Sequence, residues 1–161
     1  MQLTTGGAVR TAKKVLGHKI KEKLTVFAIG AAAYALLEML WRGYTHWTML
    51  LLGGACFLII YGISIRYKEK KMLRKCFLCS ASITCAELAV GCVVNLWLGW
   101  QVWDYSRYTI QLWGQISLLY SFFWFVLCIP MVYLCGRLHD RINKSVTNKT
   151  SEAGSLAGKG S

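Results

Sequence analysis

A chain of 161 residues in which 55% are hydrophobic and 13% aromatic, with a single proline, lacks the polar interruptions that a soluble domain needs on its outer faces. The net charge of +12 points to nucleic acid only until its distribution is read, because Lys and Arg fall in blocks between long apolar runs and therefore report membrane topology. Composition excludes a soluble enzyme domain and a nucleic-acid binder, and leaves an integral membrane protein.

The chain opens with a basic segment, residues 1–23, carrying Arg10, Lys13, Lys14, Lys19, Lys21 and Lys23. Within AVRTAKKVLGHKIKEK (8–23) the residues Val9, Ala12, Val15, Leu16 and Ile20 recur at roughly helical spacing. That suits either a short helix on the inner leaflet or a plain basic leader. The first apolar run ends in Trp41-Arg42, not in a small-residue cleavage site, so it is expected to stay in the mature protein.

Four windows follow, 24–41, 47–65, 76–100 and 116–136, each near the ~20 residues that cross a hydrocarbon core. They predict an all-α integral membrane protein: a four-transmembrane-helix bundle of two hairpins, occupying residues 24–136. Arg66, Lys68, Lys70, Lys71, Arg74 and Lys75 lie between the second and third windows, and Arg137, Arg141, Lys144, Lys149 and Lys159 follow the fourth. Only Arg42 and Arg107 belong to the other side. The positive-inside rule then places both termini in the cytoplasm and the protein in the cell membrane, with attraction to anionic lipid as a secondary effect. Residues 137–161 form a cytoplasmic tail whose part from Asn143, rich in Ser, Thr, Gly and Lys without aromatics, is expected to be disordered. Asn143-Lys144-Ser145 and Asn148-Lys149-Thr150 match the glycosylation triplet by chance, since they face the cytoplasm.

Seven cysteines (56, 76, 79, 85, 92, 128, 135) fall in or at the ends of the spans and read as small buried hydrophobes. Cys76 and Cys79 have metal-knuckle spacing, but no second pair or nearby histidine completes a ligand set. Neither a metal nor a cofactor is expected.

The rare polar residues inside the spans carry the functional signal, because an ionisable group in a bilayer is costly unless it faces protein or water. Glu38 and Arg42 are four apart and can pair on one helix, with His46 just beyond. Glu87 lies near mid-span. Ser80, Thr84, Glu87, Gly91 and Asn95 step by 4, 3, 4 and 4, which keeps them on one helical face. That stripe is either a site or interhelical glue. Each hairpin thus has one glutamate in its rising helix, a faint parallel repeat.

Between the third and fourth spans, WDYSRYTIQLWGQ (103–115) is too polar for lipid and too aromatic for free solvation. It is expected to fold over the mouth of the bundle, with Asp104 pairing with Arg42, His46 or Arg107 and Gly114 permitting a tight turn. Trp41, Trp47, Trp97, Trp100, Trp103 and Trp113 read as an outer aromatic belt. No nucleophile triad, phosphate loop or nucleotide motif is present, so no catalytic residue can be assigned.

The segments LLEMLWRGYTHWTMLLLGGACFLIIYGI (36–63), AELAVGCVVNLWLGWQVWDYS (86–106) and WGQI (113–116) resemble the bacterial ABC-transporter type IV permease family over about residues 30–135. The resemblance carries over Glu38, Arg42, Gly43, Thr45, His46, Trp47, Glu87, Gly91, Asn95, Trp103, Asp104, Tyr105, Ser106, Gly114 and Gln115. Thr109 and Gln111 depart from it, standing where family members tend to have Pro and Asn. Together these readings imply a small permease-like transport component for an unknown solute or lipid. Glu38, Arg42, His46, Glu87, Asn95 and Asp104 would bind substrate, and Gly43, Thr45, Trp47, Gly91, Trp103, Tyr105, Ser106, Gly114 and Gln115 would support them. A homodimer or a partner membrane subunit is expected, together with a separate ATPase subunit, since the chain has no means of hydrolysing ATP itself. The alternatives are a membrane-embedded enzyme acting on a lipid headgroup and an accessory subunit that packs against others.

Overall fold

The computed structural model describes the backbone of residues 5–158 and the side chains of residues 16–142. The protein is all-α, with helices α1 (Thr5–Arg42), α2 (Trp47–Arg66), α3 (Met72–Gly91) and α4 (Leu118–Gly158) and a two-stranded hairpin of β1 (Gln111–Leu112) and β2 (Ile116–Ser117). Four stretches are long and apolar enough to cross a membrane: Leu16–Arg42, Trp47–Arg66, Met72–Trp97 and Leu118–Ile142. Of the most apolar window, only 17% is buried in the first and again in the fourth. Leu36, Leu40, Phe122 and Leu134 instead point outward, which suits a hydrocarbon solvent.

The helix ends follow local chemistry. Gly43, at φ +76°, closes α1 in the left-handed conformation, its N–H donating to the Met39 carbonyl at 3.1 Å. His46 starts α2: the Met49 N–H bonds its carbonyl at 2.8 Å, and the Thr48 N–H reaches its Nδ1 at 3.4 Å. Ser117 Oγ caps α4 by accepting from the Tyr120 N–H at 3.3 Å. The expected first and third spans shift accordingly. α1 is one continuous helix from Thr5, and α3 passes at Cys92–Trp97 into a π-helical turn that stops short of residue 100, where Gly99 and Gln101 take positive φ. α4 begins two residues later than expected because 116–117 pair as a strand. Its helical backbone extends to Gly158. Disorder was expected from Asn143, but the side chains there lie outside the described residues.

The chain divides into two compact units, Met1–Leu58 and Ile59–Ser161. In the first, α1 and the opening turns of α2 pack closely. A Cβ at Gly30 would overlap Phe57, and one at Gly53 would overlap Tyr34, the close approach that small residues permit in membrane helices. In the second, α3 and α4 run antiparallel. Cys76, Cys79, Cys128 and Cys135 are all but fully buried between them as free thiols.

Candidate functional site

Each unit contains its own polar centre. In the first, Glu38 is 5% exposed, and both carboxylate oxygens are used. Arg42 Nη1 pairs with Oε1 at 3.2 Å, and Thr45 Oγ1 donates to Oε2 at 2.5 Å. Arg42 also donates to the Tyr44 hydroxyl at 2.9 Å and stacks over its ring at 4.8 Å. The predicted Glu38–Arg42 pair therefore forms and ties the end of α1 to the connection preceding α2. His46 serves the start of α2. Its Nδ1 meets the Thr48 hydroxyl at 2.8 Å, a capping role.

In the second unit the stripe on α3 divides by task. Ser80 Oγ donates to the Ser121 carbonyl at 2.9 Å, and Thr84 Oγ1 donates to Ser121 Oγ at 3.1 Å. These two are interhelical glue. At the far end, Asn95 is 8% exposed, and its amide makes three bonds. Nδ2 donates to the Trp103 carbonyl at 3.0 Å and to Gln115 Oε1 at 2.7 Å, while Oδ1 accepts from the Val102 N–H at 2.7 Å. Gly91 belongs here because its missing side chain makes room. A Cβ would lie 2.6 Å from Gln115 Oε1 and 3.0 Å from the Trp103 ring. The π-helical turn keeps Asn95 on the buried side as the helix ends.

Between these ends sits Glu87, only 3% exposed. The Trp124 side chain of α4 lies toward its carboxyl. Trp124 was not foreseen as a site residue. The available signal was its position inside the fourth span, well away from the boundary where belt tryptophans gather.

Part of the loop folds inward, but the ion pair expected of Asp104 does not form among the described residues. Trp103 is 6% exposed and donates its indole N–H to the Gln115 carbonyl at 2.9 Å, so it leaves the aromatic belt, where Trp41, Trp47, Trp97, Trp100 and Trp113 remain exposed. Asp104 itself is exposed and closes a local turn, accepting from the Ser106 N–H at 2.8 Å and its hydroxyl at 2.6 Å. Those two bonds, with the field of Arg107, hold its carboxyl below the usual range. Gly114, at φ +69°, is required there because a Cβ would lie 2.7 Å from Ser106 Oγ and 2.8 Å from Asp104 Oδ1. Gln111 Oε1 accepts from the Gly114 N–H at 2.6 Å, so this departure from the family pattern still closes the turn. Tyr105 stacks on Tyr120 of α4 with centroids 4.5 Å apart, and Tyr108 meets the Tyr120 hydroxyl at 3.2 Å.

The family described as "Putative ABC-transporter type IV" matches residues 25–157. No curated protein and no solved structure proved similar to the chain.

Proposed function

The chain belongs to this transport-related family of membrane proteins, and from that premise we propose that it is a small permease-like component of the cell membrane in which Glu87 acts on the transported solute or lipid. One observation carries the reading. Glu87 is a carboxyl buried within a membrane-crossing helix, on a face whose other polar members are engaged in packing or loop anchoring. An intramembrane carboxyl is costly and is retained where it does work. Asn95 and Gln115 frame the end of this centre, and Glu38 with Arg42 and Thr45 forms a second polar centre in the other hairpin. The family's description points to an ATPase partner as the source of driving force.

The test compares the solutes and lipids that co-purify with the full chain and with Glu87→Gln. Loss of a specific molecule from a variant that elutes as the wild type does is the expected result. An identical set of bound molecules would sink the reading. The accessory role is the second reading, favoured by the Ser80 and Thr84 bonds to Ser121. It predicts that Glu87→Gln loosens the protein without changing what binds.

A further inference from the structure

One end of the second unit gathers positive charge. The antiparallel course of α3 and α4 brings the start of α3 level with the later turns of α4, and the Tyr61 hydroxyl of α2 meets His139 Nδ1 of α4 at 3.1 Å. The six cations from Arg66 to Lys75 therefore share this end with Arg137 and Arg141. All but Lys75 are exposed. The acids nearby are Glu69 and Asp140, and among the described residues neither forms an ion pair with these cations. Directly beneath the cations on α3, Leu73 and Phe77 are 67% and 66% exposed. They stand four residues apart on one face, next to Lys70 and Arg74. On α4 the Arg137 guanidinium lies back over the Tyr133 ring at 4.5 Å, in the manner of a side chain anchored at headgroup level.

Cations at the end of apolar helices, set above an exposed apolar face, match the two halves of a phospholipid: phosphate and acyl chain. We propose that this end of the second unit is an interaction surface for anionic phospholipid. Lys70, Lys71 and Arg74 take the headgroup phosphate, and the Leu73–Phe77 face takes the chain. An acidic protein would use the charge but leave that apolar face uncovered. The surface is independent of the role proposed for Glu87.

The full chain in neutral detergent is titrated with phosphatidylglycerol and, separately, with phosphatidylcholine, and bound lipid is counted by native mass spectrometry. Phosphatidylglycerol should be retained preferentially, and the preference should collapse at high salt. At about fivefold per cation near the surface, the combined change Lys70→Gln, Lys71→Gln, Arg74→Gln should weaken phosphatidylglycerol binding by roughly 100-fold. Phe77→Ser should weaken both lipids. The combined change Lys19→Gln, Lys21→Gln, Lys23→Gln removes the same charge from α1 and should alter binding less than about twofold, since the proposed surface is built from residues of the second unit alone. An equal loss in the two triple variants, displacement of the lipid by inorganic phosphate, or no preference for phosphatidylglycerol in the wild type would each overturn the proposal.

Discussion

Replacing Asn95 by Leu, which keeps the volume and removes the amide, tests whether this one side chain holds the external loop closed. Three partners lose their bonds: the Val102 N–H, the Trp103 carbonyl and Gln115 Oε1. Val102, Trp103 and Gln115 are 8%, 6% and 4% exposed, so water cannot replace those bonds without opening the loop. An unsatisfied buried polar group costs about 1–3 kcal/mol, and interhelical bonds in membranes fall toward the low end of that range. Three groups at about 1 kcal/mol each give about 3 kcal/mol, or a population of the open loop raised roughly 100-fold. Hydrogen exchange read on peptides covering 101–117 reports that population directly. Asn95→Leu should accelerate exchange there by about that factor. Asn95→Asp keeps an acceptor for the Val102 N–H but sets a buried carboxylate against the Trp103 carbonyl and Gln115 Oε1, and should loosen the loop at least as much. Exchange within about threefold of wild type in Asn95→Leu, well under 1 kcal/mol, would show that the bonds seen here do not hold the loop and that the aromatic stacking of Tyr105 on Tyr120 does.

Gly91→Ala should lower thermal stability by about 1–3 kcal/mol through overpacking against Gln115 and Trp103. Gly62→Ala, where nothing lies within 4 Å, should be neutral or slightly stabilising when both are measured by thermal unfolding in the same detergent. Because the folded loop depresses the Asp104 carboxyl, its contribution to loop order is present above the ordinary carboxylate range and is lost as pH falls through that range and below. Exchange at Ser106 should quicken on acidification in the wild type and show no such step in Asp104→Asn; a step of equal size in both would assign it to another group. Cysteines placed at the exposed positions Lys70 and Gln111 should react with an impermeant thiol reagent from opposite sides of sealed vesicles. Reaction from one side would overturn the alternating topology.

The four helices, their approximate limits and the Glu38–Arg42 pair were legible in the sequence because they depend on local quantities. The length of an apolar run against membrane thickness fixes a span, and four-residue spacing places two side chains on one helical face. The division of labour along the α3 stripe was not legible. Periodicity puts Ser80, Thr84, Glu87, Gly91 and Asn95 on one face but says nothing about what stands opposite each. Only the packing of α4 and the return of the loop turned Ser80 and Thr84 toward Ser121, Asn95 toward Trp103 and Gln115, and Glu87 toward Trp124. Trp103 and Asp104 show the same limit. As adjacent loop residues they looked equally suited to the membrane boundary, yet one is buried as a donor to Gln115 and the other is spent on its own turn. The tertiary structure decided this because a loop's side chains have no repeating geometry: each finds its partner only after the distant helices that border the loop have come together.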